Sequence, residues 1–157
     1  MGRIKRTAYG SVLLLQAAVL MGLAGCSAPP AEDGIRDALK EMADAIEARQ
    51  AGPVVRRLTA DFSLTRGGEI LNREQSRRLL AATLIRYPDI SITVTGITVL
   101  PDGARPDMAE ARFNVLTTGG SGALLPETGQ LYRMESLWRL QEGDWRMVSA
   151  SARRPME

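Results

Sequence analysis

Leu137-Trp138-Arg139-Leu140-Gln141-Glu142-Gly143-Asp144-Trp145-Arg146-Met147-Val148 decides how the rest of the chain is read. Leu131 to Leu140 alternates in the manner of a long strand, Glu142-Gly143-Asp144 has the composition of a tight turn, and Trp145 to Ala152 returns as a last strand. Upstream, Ala109, Ala111, Phe113 and Val115 alternate with Glu110, Arg112 and Asn114, a half-buried strand. Before it, Ile90, Ile92 and Val94 alternate with Ser91 and Thr93, and Gly96 shifts the phase to Ile97 and Val99, which predicts a bulge and a bend. Pro101-Asp102-Gly103 is a turn, and Thr117 to Gly129 is a glycine-rich loop carrying Leu124 and Leu125. Four strands therefore follow one another as a meander.

Before Pro88 the period is helical. Asn72 and Gln75 have the spacing of a capping box, and the helix they open carries Ser76, Leu79, Leu80, Thr83, Leu84 and Tyr87 on one face as far as Arg86. Earlier still, Asp33 is placed to cap a helix with the stripe Ile35, Leu39, Met42 and Ile46, opposite Arg36, Asp37, Lys40, Asp44 and Glu47. Gly52 is expected to end it, with Pro53 as first residue of a second, short helix holding Val54, Val55 and Leu58. Thr59-Ala60-Asp61-Phe62 leads into a short strand that stops near Thr65, and Gly67-Gly68 is a turn. Three helices gathered against one side of a mostly antiparallel sheet make an α+β domain.

In this order, three pieces resemble the nuclear transport factor 2-like superfamily. They are Leu58-Thr59-Ala60-Asp61-Phe62, the helix opening at Asn72, and the hairpin quoted first. The resemblance covers residues 35–152. It implies a cone in which helices pack into a strongly curved sheet, often with a cavity at the open end, and often a homodimer through the sheet. Ketosteroid isomerases and polyketide cyclases of that superfamily place a carboxylate and a tyrosine inside the cone, and a scytalone dehydratase type uses histidine and aspartate. This chain has no histidine. Strand phase puts Phe113, Val115, Tyr132, Met134, Ser136, Trp138, Leu140, Val148 and Ala150 on the inner face, with no acid among them. Glu110 and Glu135 fall in the opposite phase with Arg112, Arg133, Arg139 and Arg146, as a solvated ladder.

Asp61 is the remaining candidate acid and reads better as a turn or capping residue. Phe62, Phe113, Tyr132, Met134 and Trp138 are the expected ligand-binding residues, with Tyr87 a possible cover at the mouth. Arg56, Arg57, Arg66, Arg73, Arg77, Arg78 and Arg86 outnumber nearby acids and form a basic helical surface, and the Gly119 to Pro126 loop is a candidate lid or docking lip. No phosphate loop, metal cluster or Ser/Cys triad is present in the sequence, so no cofactor is expected.

The N-terminal sixth sets location. Arg3, Lys5 and Arg6 precede an apolar run from Val12 to Leu23, too short to span a bilayer comfortably. Leu23-Ala24-Gly25-Cys26 then resembles the lipobox of bacterial lipoproteins, whose cysteine is lipidated and becomes the first residue. Cys26 is the chain's single cysteine. The divisions that follow are a signal peptide at 1–25, lipidated cysteine and tether at 26–33, the domain at 34–152 and a polar tail at 153–157. Ser27, where aspartate would favour retention at the inner membrane, points to the outer membrane with the domain facing the periplasm, with the inner membrane and the cell surface as the alternatives. Without the three basic residues of the signal, 17 basic residues stand against 18 acidic ones, and nothing favours nucleic acid. The expectation is a membrane-anchored, non-catalytic module binding a small apolar ligand or an envelope protein; the alternative is an isomerase- or cyclase-like enzyme.

Overall fold

The computed structural model describes residues 30–119 and 129–155 of the 157-residue chain. The expected signal peptide, Cys26, the expected tether as far as Pro29, most of the candidate lid loop and the last two residues of the tail lie outside the described residues. The elements are α1 (Ala31–Glu47), α2 (Ala51–Arg56), β1 (Leu58–Arg66), β2 (Glu69–Asn72), α3 (Arg73–Arg86), β3 (Ser91–Pro101), β4 (Met108–Thr118), β5 (Gln130–Gln141) and β6 (Asp144–Arg153). They build an α+β cone: one curved six-stranded sheet, ordered β2-β1-β6-β5-β4-β3, with the helices on its concave side. All neighbouring strands are antiparallel except β1 and β6, which run parallel.

Helix α1 begins before the expected cap. Pro30 holds the N-cap position with extended ψ, and Asp33 sits with Glu32 in the first turn, where negative charge complements the helix dipole. Its end also differs from expectation. Arg49 takes the left-handed conformation (φ 57), Gln50 N–H donates to Ala45 O at 2.8 Å, and Arg49 N–H donates to Ile46 O at 2.9 Å. This is a Schellman closure with arginine where glycine is usual. Gly52 therefore lies inside α2, and Pro53 is third in that helix, where its missing N–H costs nothing. Leu58 belongs to β1 and not to α2.

The capping box forms as the spacing predicts: Gln75 N–H donates to Asn72 Oδ1 at 2.9 Å, and Asn72 N–H donates to Gln75 Oε1 at 2.8 Å. Gly67 and Gly68 turn β1 into β2, a four-residue strand that the sequence pattern did not reveal. The bend in β3 is at Gly96 (φ 63), where pairing shifts between Thr95↔Asn114 and Thr98↔Arg112. A second bulge lies in β6. Leu137 faces Ser149 while Trp138 faces Met147, so Val148 is the extra residue and the inward positions are Trp145, Met147 and Ala150. This corrects the expected inward Val148: a bulge reverses strand phase without needing glycine.

Opposite that bulge, β1 passes four residues, Thr59 to Phe62, between its pairings with Met147 and Ser149. The two irregularities coincide, and the sheet is re-aimed there. The narrow end of the cone is filled. Trp138, Ile35 and Ala38 have no exposed surface, and Trp145, Ala109 and Ala111 are buried with them. Trp138 Nε1–H donates to Ser136 Oγ at 2.8 Å, and the Ser136 hydroxyl donates to Ala111 O at 3.1 Å, so the buried indole nitrogen is satisfied. At the same end Arg57 bridges α1 and β6, pairing with Glu41 and, at 3.1 Å, with Asp144.

Candidate ligand-binding cavity

Along β5 the inward side chains lose cover stepwise. Trp138 and Ser136 are buried, Met134 and Tyr132 are half-buried, and Gln130 is exposed. That gradient runs from the filled end to a cavity of about 510 Å³ that opens between the sheet and the helices. The volume falls in the range of small-molecule sites. Leu39, Met42 and Ile46 of α1 form one wall, Val54 and Val55 of α2 a second, and Ser76, Leu80 and Thr83 of α3, with Tyr87 beyond it, a third. From the sheet come Phe62, Leu64, Phe113, Val115, Tyr132, Met134, Met147 and Ala150. The α1 contributors lie on the apolar stripe that helical periodicity marks, whereas α3 adds the polar Ser76 and Thr83 beside Leu80.

Four of the five expected ligand-binding residues, Phe62, Phe113, Tyr132 and Met134, line this cavity. The fifth, Trp138, does not; it is closed into the narrow end. Tyr87 is at the cavity, as a cover for the mouth would be, and the Tyr132 hydroxyl is engaged with Gln130 Oε1 at 2.5 Å. Two lining positions belong in sequence only to the basic helical surface: Arg66, at the end of β1, and Arg77, on α3. In sequence Ser76 is part of a packing stripe. It is buried, yet its Oγ has no hydrogen-bond partner among the described residues.

The lining carries no Asp, Glu, His, Lys or Cys among the described residues. Asp61 stands away from the cavity, exposed, with Arg139 at 3.5 Å. Glu110 and Glu135 are exposed on the convex face, where Glu135 lies directly opposite Arg112. The arrangement can enclose a hydrophobic molecule and exclude water from it; no carboxylate of the described residues stands against such a molecule. No group of three or more metal-ligating side chains occurs among the described residues, and no helix among them is long and apolar enough to cross a membrane.

The same cone is found in solved structures of low sequence identity. A candidate dehydratase of the nuclear transport factor 2-like family from Streptomyces avermitilis superposes with a TM-score of 0.68 at 20% identity, over 78% of this chain and 94% of that one. A nuclear transport factor 2-like superfamily protein from Salmonella enterica gives 0.68 at 13% identity, over 80% and 92%. The fold is nuclear transport factor 2-like. A candidate scytalone dehydratase from Novosphingobium aromaticivorans shares this nuclear transport factor 2-like cone with a TM-score of 0.72 at 13% identity, over 79% and 83%. No protein-family model and no curated protein sequence matches the chain.

Proposed function

We propose that this chain is a lipid-anchored, non-catalytic protein of the cell envelope whose cone binds a small apolar ligand. The observation that carries the reading is the cavity of about 510 Å³, walled mainly by aliphatic, aromatic and methionine side chains, with Arg66 and Arg77 also in the lining and no acid or imidazole among the described residues. A hydrophobic ligand would be held there by burial, at about 25 cal/mol for each Å² of apolar surface covered. The isomerase- or cyclase-like alternative needs a positioned proton acceptor inside the cone. The candidate acids Asp61 and Glu135 are exposed away from the lining, which speaks for binding without turnover. The histidine and aspartate chemistry that the resemblance implies for a scytalone dehydratase type has no histidine to use in this chain.

Anchoring rests on Leu23-Ala24-Gly25-Cys26 and the basic, apolar run before it. Two or more acyl chains on Cys26 would hold the domain stably at the outer membrane, whereas a single chain holds only marginally. An envelope protein partner or a second copy would meet the convex face, where the Arg112–Glu135 ladder is bordered by exposed Leu116 paired with Leu131.

Native mass spectrometry tests the binding reading, on the full chain with Cys26→Ser purified from a periplasm without detergent. The expected result is extra mass that disappears on denaturation. Protein free of added mass, with no uptake of alkanols or fatty acids offered to it, overturns the reading and leaves the convex face as the functional surface. Labelled palmitate is expected on the wild-type chain and absent from Cys26→Ser; equal labelling of both overturns the anchor.

A further inference from the structure

We infer that the ligand of the cone is a single-chain aliphatic carboxylate, its tail among the apolar walls and its head at Arg66; this rests on the binding reading above. Phe62, Leu64 and Arg66 follow one another along the inward phase of β1, so one row of side chains runs from the buried interior to an exposed guanidinium at the rim. Arg66 makes no ion pair among the described residues, and its cross-strand neighbour Glu69 is not within pairing distance of it. The other charged group of the lining, Arg77, is already held by Glu74 through bonds of 2.7 and 2.9 Å. Among the described residues, Arg66 is therefore the lining cation without an ion-pair partner, in a cavity whose remaining side chains, Arg77 apart, are apolar or uncharged. A planar guanidinium presents paired donors that match a carboxylate.

Two further features select the class. The wall of α3 holds the unpartnered Ser76 hydroxyl, buried within the cavity. A plain hydrocarbon would leave it and Arg66 without partners, and a cationic amphiphile would be repelled by the rim. Met42, Met134 and Met147 project from three different elements into the same space. Unbranched, rotatable thioethers can adapt to the changing shape of a flexible chain.

Isothermal titration calorimetry with decanoate and decanol, at neutral pH and low salt on the full Cys26→Ser chain, separates the two readings. Decanoate is expected to bind about three- to tenfold more tightly than decanol, the contribution of one partly exposed ion pair. Affinity along the octanoate, nonanoate and decanoate series is expected to rise about fourfold per methylene. Arg66→Gln should bring decanoate down to the decanol value, Arg66→Glu should put it below, and Arg78→Gln, on the outer side of α3, should change neither. Equal binding of acid and alcohol by the wild-type chain, or an acid preference that survives Arg66→Gln, overturns the carboxylate inference and leaves the apolar cavity standing. Failure of both compounds to bind overturns the cavity reading and the carboxylate with it. Ser76→Ala is expected to weaken decanoate about two- to fivefold; no change would remove Ser76 from the site.

Discussion

Trp138 and Tyr132 lie on the same face of one strand, six positions apart, about 20 Å at strand rise, and meet different fates. Trp138 is sealed in the cluster of Ile35, Ala38 and Trp145. Tyr132 stands half-buried beside open volume. Both are aromatic and both follow the same alternation. What separates them is cover: α1 lies against the sheet over the narrow end, while toward the mouth the helices stand off and leave a gap. Inward strand phase therefore identifies a face, and depth along the strand decides whether that face is core or cavity wall.

The sharpest way to break this comparison is truncation at both positions. Trp138→Ala is expected to cost about 3–5 kcal/mol in denaturant unfolding, a large part of a domain's stability. Tyr132→Ala should cost about 1 kcal/mol or less, with its effect appearing in ligand binding instead. Comparable losses at both positions would mean that the mouth is packed as tightly as the base.

Enlargement gives the complementary contrast. Ala111, 1% exposed, has no room beside it, so Ala111→Leu should destabilise by about 1–3 kcal/mol through overpacking. Val115→Phe adds volume where the cavity is, and should leave the melting temperature at or above wild type while abolishing ligand uptake. A Val115→Phe variant as unstable as Ala111→Leu would contradict an open cone.

The smallest effect concerns how the open end is fastened. Glu47 Oε1 accepts from Ile92 N–H at 2.9 Å and from the Ser91 hydroxyl at 2.8 Å, clasping the end of α1 to the start of β3. The backbone bond to Ile92, then that to Ser91, holds its carboxyl below the ordinary value of 4.5. A lowered carboxyl favours the fold in its charged form, so the clasp contributes fully above pH 4.5 and is lost as pH falls through the lowered value. Hydrogen exchange at Ile92, corrected for intrinsic rates, should quicken over that window while Ala111 stays protected. Glu47→Gln should remove the pH dependence at Ile92.

Much of this was legible in the residues, and the failures share a cause. The capping box of Asn72 and Gln75, the phases of β3 and β4 and the bend at Gly96 are local, and each carries its own chemistry in neighbouring side chains. The end of α1 misled because Arg49 occupies the left-handed position that usually announces itself as glycine. Val148 misled because a bulge without glycine leaves alternation looking unbroken. The strand β2 was missed because Glu69-Ile70-Leu71-Asn72 is too short to show a period. Trp138 misled because no local pattern encodes which helix lies overhead. The rim role of Arg66 was hidden in the same way: in sequence it is one arginine among several, and the sheet places it at the end of an apolar row.

The parallel pairing of β1 with β6 joins residues 63–66 to residues 149–152, across more than half of the chain. A ribosome delivers the first partner long before the second. Until Ser149 to Ala152 arrive, β1 can close only its hairpin with β2, and its other edge stays bare. Contacts of such long sequence separation slow folding. A chain cut short before β6 would leave open edges on both β1 and β5, and would be bound for aggregation or proteolysis. Completion of the sheet thus works as a length check on synthesis: the cone can close only for a molecule that has been delivered through its final strand.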